Sequence, residues 1–173
     1  MVTVAESQEG RATTPQNVHE VSDEAQTSTF LGMQNRVLLD TAQTGGAAGV
    51  IDISVKPGAG APLHTNTREA LIWYVIEGEL TFHTEQGQIQ VEEHGSIFLP
   101  HGSTHSFANT SDRPSRALLV CIPGGFEGYL LGLGGKLPAD TPAGPPPAEA
   151  MELMVRLAHQ YGVAVIDQDP SAS

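Results

Sequence analysis

The chain has 173 residues, enough for one domain with a substantial core. Its 19 glycines and 12 prolines favour a turn-rich β protein over a helical bundle. Lys and Arg number 8 against 20 Asp and Glu, a formal net charge of −12 that repels phosphate backbones and anionic bilayers, so neither nucleic acid nor a membrane is an expected partner.

Residues 1–28 are rich in Ser, Thr, Gln and Glu and carry no hydrophobic period, which predicts a flexible N-terminal tail. Residues 1–10 have neither the basic residues nor the apolar core of a signal peptide. No apolar run approaches the roughly 20 residues of a bilayer span. Cys121 is the only cysteine, so no intrachain disulfide forms; within its apolar run it reads as a small buried hydrophobe. A reducing cytoplasm is the expected compartment.

Residues 30–39 predict one or two short strands, and Gly45, Gly46 and Gly49 mark turns. Residues 50–55 alternate Val50, Asp52 and Ser54 against Ile51, Ile53 and Val55, the pattern of a half-buried strand. Pro57, Gly58, Gly60 and Pro62 predict a loop outside any sheet interior. Residues 71–76 are apolar on both faces, so that strand needs cover on both sides: the barrel interior on one, a second sheet or a partner subunit on the other. Gly78 turns the chain into residues 79–83, residues 85–88 predict a hairpin turn, and further short strands follow to residue 122. Short strands at roughly 8–12-residue spacing predict a sandwich or barrel.

The C-terminal third changes character. Residues 123–135 are Gly-rich with Phe126, Tyr129, Leu130, Leu131 and Leu133, which predicts a short irregular helix, and residues 138–147 form a Pro-rich linker. Residues 148–161 predict a helix, with Pro147 at its start, Glu149 and Glu152 toward its positive end, and Arg156 and His159 toward its negative end. Its expected apolar stripe is Met151, Met154, Val155, Ala158 and Tyr161, and Gly162 is the expected stop. Residues 163–166 add a last strand.

Two segments carry chemistry. The first reads Gly58-x5-His64-x-Asn66-x4-Leu71-x6-Gly78, the second His94-x5-Pro100-x-Gly102-x2-His105-x3-Asn109. They resemble the two motifs of the cupin family, Gly-x5-His-x-His-x3–4-Glu-x6-Gly and Gly-x5-Pro-x-Gly-x2-His-x3-Asn. The resemblance covers about residues 30–125, and the segment after it is similar to the tail of single-domain type 2 cupins related to quercetin dioxygenases. It implies an all-β fold, a jelly-roll β-barrel (double-stranded β-helix) over residues 29–123, with a C-terminal helical extension over 124–173.

In metal-bearing cupins the three His and the Glu hold the ion. Here Asn66 stands at the second His position, Leu71 at the Glu position and His94 at a usual Gly. Two neutral imidazoles without a carboxylate make a weak divalent site, so no cofactor is expected. Were a metal present, a single Fe, Ni, Mn, Cu or Zn ion would draw on His64, His105, Asn66 and Glu69.

Strand alternation puts His64 and Asn66 on one face, then Leu71, Trp73 and Val75 inward, then His105, Phe107 and Asn109 inward. His64 and His105 suit general acid–base work, and the Asn66 amide suits orienting a carbonyl or an enolate. Trp73 and Phe107 supply flat walls, Leu71 and Val75 make the space apolar, and His101 is placed at its rim. Plainer roles stand beside these: the histidines as hydrogen-bonding groups inside the barrel, Trp73 as core, Asn109 as a backbone tie. His83 and His94 are expected in solvent, and Arg68 with Glu69 as a surface pair at the barrel mouth.

Three functions fit. One is a metal-independent, non-oxidative cyclase, isomerase or dehydratase acting on a hydrophobic aromatic or polyketide-like molecule. The second is a metal-dependent dioxygenase of the quercetin type using His64, His105 and either Glu69 or Asn66. The third is a non-catalytic small-molecule binder. The doubly apolar strand at 71–76 predicts a homodimer.

Overall fold

The computed structural model describes residues 25–140 and 146–166. Most of the expected N-terminal tail, the middle of the expected Pro-rich linker and residues 167–173 lie outside the described residues.

Alternation sets the facing of each strand. β1 (Thr27–Phe30) and β2 (Met33–Leu39) bury Phe30, Met33, Asn35 and Val37, while β3 (Gly49–Val55) buries Ile51, Ile53 and Val55 and keeps Asp52 and Ser54 on its other face. β4 (Gly60–Asn66), β5 (Ala70–Glu77), β6 (Glu79–Thr84), β7 (Gly87–Glu92), β8 (Ser96–Leu99), β9 (Thr104–Ala108) and β10 (Ser115–Ile122) follow. β11 (Val163–Val165) arrives from the C-terminal segment.

The strands form two sheets, β1-β2-β3-β10-β5-β8 and β11-β4-β9-β6-β7, and every pairing is antiparallel. Strands distant in sequence are neighbours in space, such as β3 with β10 and β4 with β9. This is the expected jelly roll. Its core lies between the inner faces, where Ile51, Val55, Val75, Leu80, Phe82 and Leu119 are buried. No described helix is long and apolar enough to cross a membrane.

Two turns bear on the sequence motifs. Gly78, between β5 and β6, has φ 75°, and a Cβ there would lie 2.8 Å from Ser115 Oγ. Only glycine meets both conditions. His94 has φ 66°, so a side-chain-bearing residue occupies a left-handed position. The family motif places glycine at that point, and the backbone supplies the reason.

Several expectations need correction. The segment with Pro57 and Pro62 is not a loop throughout: β4 starts at Gly60 and pairs with β9, with a register shift between Ala61 and His64. Pro62 falls in that irregular stretch, where its missing N–H disrupts no regular ladder. The C-terminal segment is part of the barrel, because β11 pairs with β4 and aligns Val165 with His64 and Val163 with Asn66. α1 (Phe126–Leu133) and α2 (Ala148–Ala158) stand where helices were expected, but a single 3₁₀ turn (His159–Tyr161) finishes the second before Gly162 at φ 68°. Its buried stripe is Ala150, Met154 and Ala158, and Val155 is exposed. The outer face of β5 is not covered by a second sheet: Ile72 and Tyr74 face outward with Phe98 of β8 and Ile122 of β10.

Candidate functional site

β4 and β9 run side by side in sheet register, so His64 lies directly opposite His105. Their rings are 4.4 Å apart between centroids and tilted by 57°. His64 is 7% exposed and His105 1%. Each ring is held by a main-chain carbonyl two residues earlier: His64 Nδ1 is 2.8 Å from Pro62 O, and His105 Nδ1 is 3.3 Å from Ser103 O. A carbonyl oxygen only accepts, so each Nδ1 carries the proton. In a neutral ring that leaves Nε2 as a bare lone pair.

Both rings are neutral at pH 7. Burial pushes His64 below its ordinary range, opposed by its bond to Pro62 O. Burial and then the neighbouring His64 push His105 down to about 3. The His105 Nε2 is buried and has no hydrogen-bond partner.

The same inner face carries more unpaired polar atoms. Asn66 is fully buried two residues beyond His64, where its amide opposes the fall of that ring's pKa; by strict hydrogen-bond geometry neither its Oδ1 nor its Nδ2 has a partner among the described residues. Gly102 N donates to Asn66 O at 2.7 Å, which brings Ser103 against Asn66, and Ser103 Oγ is also buried without a partner. His64, Asn66, Ser103 and His105 thus form a two-by-two polar patch on the inner wall of the second sheet.

Glu69 does not sit on the surface as expected. It is 0% exposed; Arg68 Nη2 donates to its Oε1 at 2.9 Å, and its Oε2 has no partner. Arg68 itself is half-exposed and lies across Gly125 at the start of α1, where a Cβ would come within 2.4 Å of its Nη2. The pair ties the loop before β5 to the closing helix.

Few donors here are available to a divalent metal. Two imidazole nitrogens are present, Leu71 occupies the carboxylate position, and Arg68 holds Glu69. Among the described residues no group of three or more His, Cys, Asp and Glu side chains could hold an ion.

Beside the patch is an apolar cavity of about 40 Å³ between the sheets. His64 is in its wall, with Leu71, Trp73, Phe107 and Leu119. Trp73 stacks obliquely on Phe107 at 4.8 Å and meets Phe82 edge-on at 5.6 Å. The Trp73 Nε1 is buried and unpaired. α1 and α2 close the cavity with Phe126, Tyr129, Leu130 and Met154. Tyr129 O–H donates to Met154 O at 3.4 Å, and burial raises the phenol beyond its ordinary range.

Of the sequence-predicted residues, the structure brings His64, Leu71, Trp73 and Phe107 to the cavity wall and sets His105 against His64. Val75 is buried in the core and does not line the cavity. His101 is exposed and lines a separate surface depression with Thr84, Glu85 and Phe98. Asn109 ties the backbone: its Nδ2 donates to Val55 O and Arg113 O, and its Oδ1 accepts from Ser111. Cys121 is fully buried.

Sequence reasoning missed Asn35 and the helix residues. Asn35 lines the cavity and donates to Ser28 Oγ at 3.4 Å. Its signal was a polar residue in the inward row of Met33, Asn35 and Val37. The helical contribution had no comparable signal, since α1 and α2 read as an appendage.

The sequence profile described as "Cupin domain" matches residues 52–121. No curated protein matches the sequence. Among solved structures, a sugar phosphate isomerase from a cupin superfamily of Silicibacter pomeroyi is 26% identical, with a TM-score of 0.48, covering 54% of this chain and 61% of that one. A predicted oxalate decarboxylase from Thermotoga maritima is 24% identical, with a TM-score of 0.52, covering 61% of this chain and 99% of that one. The polyketide cyclase RemF from Streptomyces resistomycificus is 24% identical, with a TM-score of 0.49, covering 63% and 80%. The Thermotoga maritima likeness concerns the fold alone.

Proposed function

We propose, from the premise that this chain carries a cupin domain, that the protein is a metal-independent, non-oxidative enzyme of cyclase, isomerase or dehydratase type. Its substrate is a neutral, largely apolar small molecule held between the sheets. One observation carries this reading: His64, a neutral imidazole whose Nδ1–H is committed to Pro62 O, lines an apolar cavity with His105 packed against it, and leucine stands where a carboxylate ligand would.

His64, in the cavity wall, is the proton acceptor, and His105 beside it orients the reacting group. The Asn66 amide N–H is available to a developing enolate oxygen. Trp73, Phe107 and Leu71 grip the apolar body. No Lys or Arg lines the cavity, which disfavours anions such as oxalate or a sugar phosphate. The cavity of about 40 Å³ is smaller than the ~150 Å³ that accommodates benzene, so α1 and α2 shift when an aromatic substrate enters.

Elemental analysis of protein purified without a metal-chelating tag tests the reading. The expected result is far less than one metal per subunit after metal is offered and the protein desalted. One retained equivalent of a single transition metal would restore the dioxygenase reading, with the unpartnered Glu69 Oε2 completing His64 and His105. Saturable ligand binding with no product from any candidate would favour the plain binder.

A homodimer belongs to the same proposal. Phe98 is 61% exposed, and with Ile72, Tyr74 and Ile122 it makes an apolar outer face on the first sheet. Light scattering at the monomer mass would remove it, and Phe98→Asp should weaken the dimer. A cytoplasmic location is supported by the lone, buried Cys121.

A further inference from the structure

The hydrogen bonds of the two histidines restrict what the cavity accepts. Each Nδ1–H is committed to a main-chain carbonyl, so each ring offers only an acceptor inward. The rings are adjacent, and the His105 Nε2 is buried with no partner. A buried acceptor left unpaired is costly, so an occupant seated against His64, in the cavity wall, and its neighbour His105 is held best when it brings donors. Water meets that demand with two O–H groups on one atom, and a ligand that displaces it has to reproduce both bonds. A carboxylate, ketone or ether oxygen placed against the two Nε2 atoms gains no bond from them.

We infer that the site selects a neutral molecule with an apolar body and two hydroxyl donors on one edge, such as an aromatic diol or its enol equivalent, bound through O–H bonds to His64 Nε2 and His105 Nε2. This rests on the proposed reading of the cavity as the substrate site and names the substrate class for it. The Trp73 Nε1–H, buried and without a partner among the described residues, is a further donor for a ligand oxygen.

Trp73 is the only tryptophan of the chain and lines the cavity, so its emission reports occupancy directly. The test titrates full-length protein with catechol and resorcinol, with their mono- and dimethyl ethers, and with benzoate. Methylating each hydroxyl should weaken binding by about 10-fold, and benzoate should bind more weakly than either diol. In His105→Leu the preference for diol over monomethyl ether should collapse; should that variant fail to fold, the wild-type ether series decides alone. Ethers or benzoate binding as tightly as the diols, or no diol binding at millimolar concentration, overturns the inference. Its failure is separable from that of the enzyme reading. Diol binding without any turnover would refute catalysis and leave the inference standing. Turnover of a substrate without hydroxyls would do the reverse.

Discussion

Acidification gives a direct measure of how the histidine pair is held. The unfolded His105 titrates near 6.5, while the folded ring is pushed down to about 3, chiefly by burial. Between those values the unfolded chain binds more protons than the folded one, so stability falls as pH falls. It is whole above about pH 6.5 and continues to drop until the folded ring protonates near pH 3. At about 1.4 kcal/mol per pH unit, moving from pH 7 to pH 5 removes about 2 kcal/mol. His64 is shifted the same way and titrates with its neighbour, so the loss belongs to the pair. The assay is urea unfolding of wild type and His105→Asn at steps between pH 7 and pH 5. The protein's many surface carboxylates titrate in both, so the difference between the two curves isolates the histidine. Wild type should lose about 2 kcal/mol more than the variant over that range. Parallel curves would mean that His105 takes up its proton near the ordinary value, and the shift assigned to burial would be wrong.

Three further changes test other parts of the structure. Asn66→His with Leu71→Glu should regenerate a four-ligand sphere and raise zinc affinity by several orders of magnitude. In a thermal shift assay zinc at about 1,000 times Kd would then add about 4 kcal/mol of stability, while a folded variant with no larger zinc shift than wild type would show that these side chains do not converge. His94→Gly should relieve a left-handed backbone worth about 1 kcal/mol and raise Tm by roughly 2–4 °C, even though Tyr74 O–H loses its exposed partner at 3.2 Å; an unchanged or lower Tm in calorimetry would contradict this. Asn109→Ala removes the side chain that joins Val55 O, Arg113 O and Ser111, and denaturant unfolding should register a loss of about 2–4 kcal/mol.

The barrel was legible because its signals are local. Alternation in β3, the doubly apolar run in β5, the glycine at residue 78 and the spacing of His64, His105 and Asn109 are properties of short segments. The inward facing of His64 and of His105 followed from the two-residue period of each strand, but their placement opposite each other comes from the β4–β9 register. What stayed hidden depends on contacts between distant segments. Glu69 reads as a surface acid beside Arg68, and only the approach of α1 at Gly125 buries it. β11 reads as an optional strand, and only its pairing with β4 makes the C-terminal segment part of the cavity wall. The tautomer of each histidine depends on a carbonyl two residues away that the local bend of β4 and of the loop before β9 turns toward the ring.

Leu71 links these features. A carboxylate at that position would place a negative charge beside the two imidazoles, favour their protonated forms and support a cation. Leucine brings no charge and lines the cavity with Trp73 in the same inward row, and burial then holds the His105 pKa down. Once the rings are neutral and their Nδ1–H groups are fixed outward to carbonyls, the patch has acceptors without a cation to satisfy them. With Asn66 at a second ligand position, Leu71 leaves a donor set that favours the proposed metal-independent reading. The orphaned atoms on His105, Asn66 and Trp73 are what that set leaves for a ligand to pair.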